Sequence, residues 1–384
     1  MEYSTQSYYC KERLCHYAEG FSELVRMLKP EEEQKVFERG DKLESYRKKE
    51  NIQFIRSNLD EVSKLMTRLS ADILLPKAME RRKFLYLRKA FRSEGLILSE
   101  AQTVARGGKE DLTLCLSTKK RAPIDSAHVA NMLSVLLDRE YSCSIDNPGF
   151  VTGSAQPYLF LEQANYLAFT GYARATKDME TISGDSYSFL DTGDGMFYAL
   201  LSDGTGSGEI AANESNWVLD LMEKFLEIKY PIEGALRLIN GIWTMQQDKW
   251  KNPTLDCCSM NLNEGKCEFY KVGASMSYIK HERVVELAEG SCLPLGCFGD
   301  MEITKGCYNL EPGDTLIMIT DGVLGGFLSA GQENELCELI EKMDSVNPRE
   351  MAQKVLQSAI FQGKGKICDD MTVLAVRIES RALT

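Results

Sequence analysis

Aspartates at the ends of buried strands are the residues of this chain best placed to do chemistry. Ser183-Gly184-Asp185 opens one stretch, and Ser202-Asp203-Gly204 closes it after the apolar run Phe197-Tyr198-Ala199-Leu200-Leu201. Asp194-Gly195 reads as the turn of a hairpin that sets Phe189 and Phe197 on two antiparallel strands. Such a pair can bring Asp185 and Asp203 to the same end of a sheet. Thr320-Asp321-Gly322 ends a second apolar run, Thr315 to Ile319, and Asp369-Asp370 immediately precede a third, Met371 to Val376. One Asp at a strand end is commonly a turn former. Four such sites, two of them Ser/Thr-Asp-Gly after an apolar run, point instead to a converging set of hard oxygen ligands. With no His or Cys among them, the set suits Mg²⁺ or Mn²⁺ rather than zinc.

The elements that must position these acids lie in the second half of the chain. After Gly208, helices are expected over 209–229 and 232–246. Strands are expected over 255–260, 266–272, 276–280 and 284–287, and helices again over 333–343 and 348–361. That order is consistent with an α+β body in which two antiparallel sheets pack face to face between helices. Ahead of it, residues 1–93 read as a charged helical arm and 94–155 as a small α/β segment. The latter has strands around a Gly107-Gly108 turn and a helix capped by Ser126. A boundary is expected near Asn147-Pro148-Gly149, so the body is taken as 156–384.

Within the arm, Pro30 with Glu31-Glu32-Glu33 marks a helix start. Ile52, Ile55, Leu59, Val62, Met66, Leu69 and Ile73 alternate at three and four residues, a coiled-coil seam. The seam pairs either with its own chain or with a second subunit in a homodimer. Residues 77–92 are basic, with Phe84, Leu85, Tyr86 and Leu87 between the charges. This reads as a solvated helix face or as a docking surface for an acidic partner or a headgroup layer.

The chain has 384 residues and a formal charge of −12, which argues against a nucleic-acid surface. Twelve Cys without a Cys-x-x-Cys pair or a signal peptide suggest reduced thiols in the cytoplasm. No run reaches the roughly 18 apolar residues of a spanning helix.

Taken together, the motifs resemble the metal-dependent Ser/Thr protein phosphatases of type 2C (the PPM fold), and more closely the stage II sporulation protein E family of spore-forming bacteria. The matching pieces are Ser183 to Ser188, Ser202-Asp203-Gly204 with Gly206 and Gly208, Leu255-Asp256, Lys271-Val272-Gly273, Pro294-Leu295-Gly296, Gly313-Asp314, Asp321-Gly322 and Asp369 to Val373, in family order over about the last 200 residues. The resemblance implies a phosphatase domain over 156–384 behind a regulatory region. It also implies two Mn²⁺ or Mg²⁺ ions, with Asp203 bridging them as the central catalytic residue. The Gly204 carbonyl would be a backbone ligand, Gly freeing the sharp turn that aims it at a cation. Asp321 and Asp369 would complete one ion, and Asp185 would support the other. Asp370 would stand behind them, where the wider class usually has Asn.

By the same resemblance the substrate is a phosphorylated anti-anti-sigma factor whose dephosphorylation activates a sigma factor in sporulation. The competing reading is a weakly catalytic scaffold that acts through division proteins at the septum. Membrane attachment is expected only through an N-terminal segment absent from this chain. Two departures stand out, the first at Gly325, about where bacterial relatives often place an acid. Thr205 follows Gly204 where eukaryotic relatives carry His, and the three His, at 16, 128 and 281, are distant in sequence. Arg174 and Lys177 are candidates to meet phosphate, with a surface role the plainer expectation.

Overall fold

The computed structural model describes residues 14–20, 22, 56, 59–67, 76–106, 108–119, 122–245, 252–290, 293–297, 303–327 and 332–381. The chain forms two units, residues 1–163 and 164–382. Among the described residues no helix is long and apolar enough to cross a membrane.

In the first unit, helical stretches at 14–20 and 59–67 meet through Ser63, whose hydroxyl donates to the Ala18 carbonyl at 2.7 Å. Leu59, Val62 and Met66 of the seam are half-buried there. Ile52, Ile55, Leu69, Ile73 and the Pro30 helix start lie outside the described residues.

The rest of this unit runs β1 (Lys77–Ala78), α1 (Arg81–Ser93), β2 (Leu96–Arg106), β3 (Lys109–Thr118), β4 (Ile124–Asp125), α2 (Ser126–Leu137), β5 (Tyr141–Cys143), β6 (Phe150–Val151) and β7 (Gln156–Glu162). The sheet order is β1-β2-β3-β7-β5, with β4-β6 as a separate pair. Gly108, at φ +83°, supplies the turn between β2 and β3. α2 is capped by Asp125, whose side chain accepts from the Ala127 amide, and not by Ser126, which is its first helical residue.

Both expected boundaries move. α1 buries Leu87 and Phe91 in the same core as Leu96, Leu112 and Phe160, so it belongs with the sheet and not with an arm ending at 93. β7, expected at the head of the body, pairs with β3 and β5 instead. The Pro148-Gly149 punctuation is a loop inside this unit, between β5 and β6.

The second unit runs β8 (Tyr166–Ala175), β9 (Asp185–Asp191), β10 (Met196–Asp203), α3 (Glu209–Glu227), α4 (Ile232–Met245), β11 (Leu255–Asn261), β12 (Lys266–Val272), β13 (Ser277–His281), β14 (Val284–Ala288), β15 (Thr304–Asn309), β16 (Thr315–Ile319), α5 (Asp321–Gly326), α6 (Gln332–Glu341), α7 (Pro348–Gln362) and β17 (Met371–Ser380). Two five-stranded sheets result, β15-β12-β11-β10-β9 and β14-β13-β16-β17-β8, with every pairing antiparallel.

The long apolar runs are strands covered on both faces, which is why they do not alternate with polar residues. Phe197, Ala199 and Leu201 meet Leu316, Met318, Leu374 and Val376 between the sheets. Ile317, Ile319, Val373 and Ala375 point the other way, onto Val323, Leu336, Met351 and Val355 of the helices. Each such aliphatic burial contributes roughly 1.5–3 kcal/mol. α7 starts where the sequence says it should, with Pro348 in its first turn and the Asn347 side chain accepting from the Arg349 amide.

Candidate metal centre

The hairpin puts Asp185 and Asp203 directly opposite one another at the ends of β9 and β10. The other sheet supplies the rest. Asp321 is the first residue of α5, immediately after β16, and Asp369-Asp370 lead into β17, the neighbour of β16. Thr320 ties the two sheets together at this point. Its hydroxyl donates to Asp185 Oδ2 at 3.0 Å and accepts from the Thr372 amide at 2.9 Å. Asp203 is braced by Thr254, whose hydroxyl accepts from the Asp203 amide and whose own amide donates to the Asp203 carbonyl.

Electrostatically the acids are crowded. Burial, then the charges of Asp185, Asp321 and Asp369, push the Asp203 carboxyl up to about 9, and it shares a hydrogen bond with Asp321. Burial raises Asp185 to about 6, against the nearby Thr372 and Thr320 hydroxyls and with the Asp370 charge adding to the rise. Asp185 is 1% exposed, and its Oδ1 is buried without a hydrogen-bond partner. Among the described residues no three acidic, His or Cys side chains surround a common point at ligand distance. The donor set still fits divalent cations. It consists of hard oxygens, includes an orphaned carboxylate oxygen, and carries repulsion that cations would relieve.

Asp370 stands apart from the other five candidates, which are Asp185, Asp203, Gly204, Asp321 and Asp369. It is 3% exposed, and both of its oxygens are taken by backbone amides: Oδ1 by Lys177 at 2.9 Å and Oδ2 by Gly184 at 2.7 Å. It therefore holds the loop that delivers Asp185. Asp370→Asn puts an amide N–H against one of those donors. A loss of about 1–3 kcal/mol is expected, seen as a fall in melting temperature of several degrees at this domain size, with turnover reduced less than tenfold. A turnover loss as large as that of Asp203→Asn, with no change in melting temperature, would put Asp370 in the ligand set instead.

The glycines beside the acids serve close packing more than chain reversal. A Cβ on Gly204 would lie 2.1 Å from the Ala211 carbonyl oxygen, so the end of β10 lies directly against the first turn of α3. A Cβ on Gly322 would likewise sit 2.1 Å from the Asp370 carbonyl oxygen.

Arg174, a phosphate candidate in sequence, donates to the Ser183 and Asp185 carbonyls at 3.1 and 2.6 Å, and Lys177 Nζ lies 3.8 Å from Asp369. His281 hydrogen-bonds Asp314 at the end of β13 remote from Ser277, and His128 lies in α2 of the first unit. Two residues that in sequence are only parts of a motif prove to be buried beside the acids. Asp256 lines the cleft with Asp203 and Asp321, and Lys271 bonds to it. The available signal was weak: Asp256 is the one charge of β11, but Lys271 shares β12 with Lys266 and Glu268.

Residues 193–379 match the family model of stage II sporulation protein E. The stage II sporulation protein E of Bacillus subtilis (strain 168) is 32% identical over 254 residues, 65% of this chain and 30% of that protein. That of Priestia megaterium is 31% identical over 215 residues, 56% of this chain and 37% of that protein. The chain thus spans about a third of the length of the curated relatives it matches. A solved structure of the PP2C phosphatase domain and a fragment of the regulatory domain of the cell fate determinant SpoIIE from Bacillus subtilis aligns with a TM-score of 0.64 and 26% identity, covering 91% of this chain and 99% of that one.

Proposed function

We propose that the second unit, most of which matches the stage II sporulation protein E family model and which has the PP2C phosphatase fold, is a divalent-cation-dependent serine phosphatase acting on a phosphoprotein. One observation carries the reading: Asp185 and Asp203 from one sheet face Asp321 and Asp369 from the other at the same end of the sandwich. Asp203, the Gly204 carbonyl, Asp321, Asp369 and Asp185 would hold two Mn²⁺ or Mg²⁺ ions, with Asp203 shared between them. When bound, such a pair neutralises the phosphoryl oxygens and makes water nucleophilic at neutral pH.

The remaining work falls to the chain. Thr254 fixes the backbone of Asp203, Thr320 holds the Asp185 carboxylate, and Arg174 and Asp370 pin the strand end and loop that carry Asp185. Leu201 and Ile319 give the cleft an apolar wall, and the loop of Gly273, Ala274 and Ser275 forms another part of its lining. In the reaction water adds to phosphorus, the bond from phosphorus to the serine oxygen breaks, and the serine leaves as its hydroxyl. His281 is held by Asp314 and Glu286, so the proton for that oxygen comes from solvent and not from this ring.

The match to a sporulation protein family supports the finer reading. The substrate is the phosphoserine of a small anti-anti-sigma protein, and its dephosphorylation frees a sigma factor. The complete set of acids favours this over a scaffold role. The test is phosphate release from such a phosphoprotein. Chelation with EDTA is expected to abolish it and Mn²⁺ to restore it. Full turnover after complete chelation would sink the cation mechanism.

A further inference from the structure

Beside the carboxylates lies a buried ion pair that the proposed reaction does not use. Lys271 on β12 and Asp256 on β11 are 1% and 2% exposed. Lys271 Nζ donates to Asp256 Oδ2, to the Ser275 carbonyl at 2.7 Å and to Ser277 Oγ at 2.8 Å. All three ammonium protons are thereby placed. Ser277 Oγ in turn donates to Asp256 Oδ2 at 2.8 Å. Lys271 is therefore unavailable to a phosphate, and the group is closed on itself except for Asp256 Oδ1, which is buried without a partner.

What matters is where these residues come from. β11 and β12 belong to the sheet that carries Asp203, while β13, with Ser277, belongs to the sheet that leads to Asp321 and Asp369. The cross-strand partner of Asp256 is Leu201, two residues before Asp203. Asp256, Gly273, Ala274 and Ser275 line the same cleft as Asp203 and Asp321. Apolar packing between the sheets is non-directional and tolerates small slides. A buried charge with three hydrogen bonds does not tolerate them, since any slide leaves a charge unpaired in the core.

We propose that Lys271 and Asp256 are positioning residues: through Ser277 they fix the spacing of the two sheets at the acid end, and so the distance from Asp203 to Asp321 and Asp369. This rests on the cation reading above. It deepens that reading by naming what sets the geometry of the cation ligands.

The experiment uses the full chain, with Mn²⁺ titrated calorimetrically, melting followed without cation, and kcat and KM measured on a phosphoprotein. Lys271→Met is expected to lower the melting temperature, because it strands Asp256. Adding Asp256→Leu removes the stranded charge and is expected to restore the melting temperature. Mn²⁺ affinity should nevertheless remain down by about tenfold or more, as when a residue that orients a ligand is lost, and kcat should fall while KM holds. Ser277→Ala, which cuts only the link between the sheets and leaves the ion pair, is expected to weaken Mn²⁺ binding in the same direction. Parental Mn²⁺ affinity and kcat in both the double variant and Ser277→Ala would overturn the inference alone, leaving the pair as packing. A parent chain that binds no Mn²⁺ would overturn the cation reading and this inference with it.

Discussion

Asp203→Asn is expected to lower phosphatase turnover by about a thousandfold, equivalent to about 4 kcal/mol of transition-state stabilisation, while the metal-free chain melts at or above the parent's temperature. The two halves of this result have one cause. Asp203 is the carboxylate on which burial and the charges of Asp185, Asp321 and Asp369 all act. Asn keeps the shape and can still donate to Asp321, but it is neutral without the proton that a buried carboxyl pushed up to about 9 must take up on folding at neutral pH. Without cations the variant is therefore relieved, and with cations it lacks the group that two ions would share. Turnover and metal-free melting, measured side by side, separate this outcome from simple misfolding. A variant that loses melting temperature and turnover together would show Asp203 to be a structural acid. A variant that keeps turnover within tenfold would remove it from the centre of the site.

Gly204→Ala is the second large effect. The added methyl would meet the Ala211 carbonyl oxygen at 2.1 Å and its carbon at 2.6 Å, and these are backbone atoms that cannot rotate aside. Either the end of β10 or the first turn of α3 must move. An overpacking loss of about 3 kcal/mol is expected, or about 10 °C in melting temperature for a unit of this size. Mn²⁺ affinity should fall with it, because the residue displaced adjoins Asp203. The matched control is Gly325→Ala. A Cβ there has nothing within 4 Å, so it should leave melting and turnover near the parent's. Equal behaviour of the two variants would mean that the contact between β10 and α3 is slack in solution.

Much of the sandwich is legible in the amino-acid sequence. Two apolar runs joined through Asp194-Gly195 are the hairpin of β9 and β10, and the acids fall at its end because register follows from the turn. What stays hidden depends on pairing between residues far apart in sequence. β7 reads as the start of the second domain because its partner β3 lies some 45 residues upstream, and Pro148-Gly149 resembles a linker. α5 escapes notice because three of its six residues are Gly, a poor helix former, and its helix is set by contacts with α7 and β17. Asp256 and Lys271 are visible only as charges within strands, Lys271 as one of three in β12. Their opposition across β11 and β12 needs the register, and their link to Ser277 needs both sheets. That Asp370 stands behind the other acids is only what the resemblance implies, and the two amides that occupy it cannot be read from the sequence.

The position of β17 governs when this protein can begin to work. β17 sits between β16 and β8, so it is an inner strand of its sheet, and it pairs with β8 along ten residues, from Met371 with Ala175 to Ser380 with Tyr166. On the ribosome, at roughly 5–20 residues per second, β8 waits on the order of 10–40 s for that partner to be made. Throughout that interval the nascent sheet has a gap where its inner strand belongs, and the facing edges of β8 and β16 are open to any neighbouring strand. Asp369 and Asp370 have not yet been synthesised. An unfinished chain therefore cannot assemble the acid cluster, and its open edges can mispair with neighbouring chains until β17 is made.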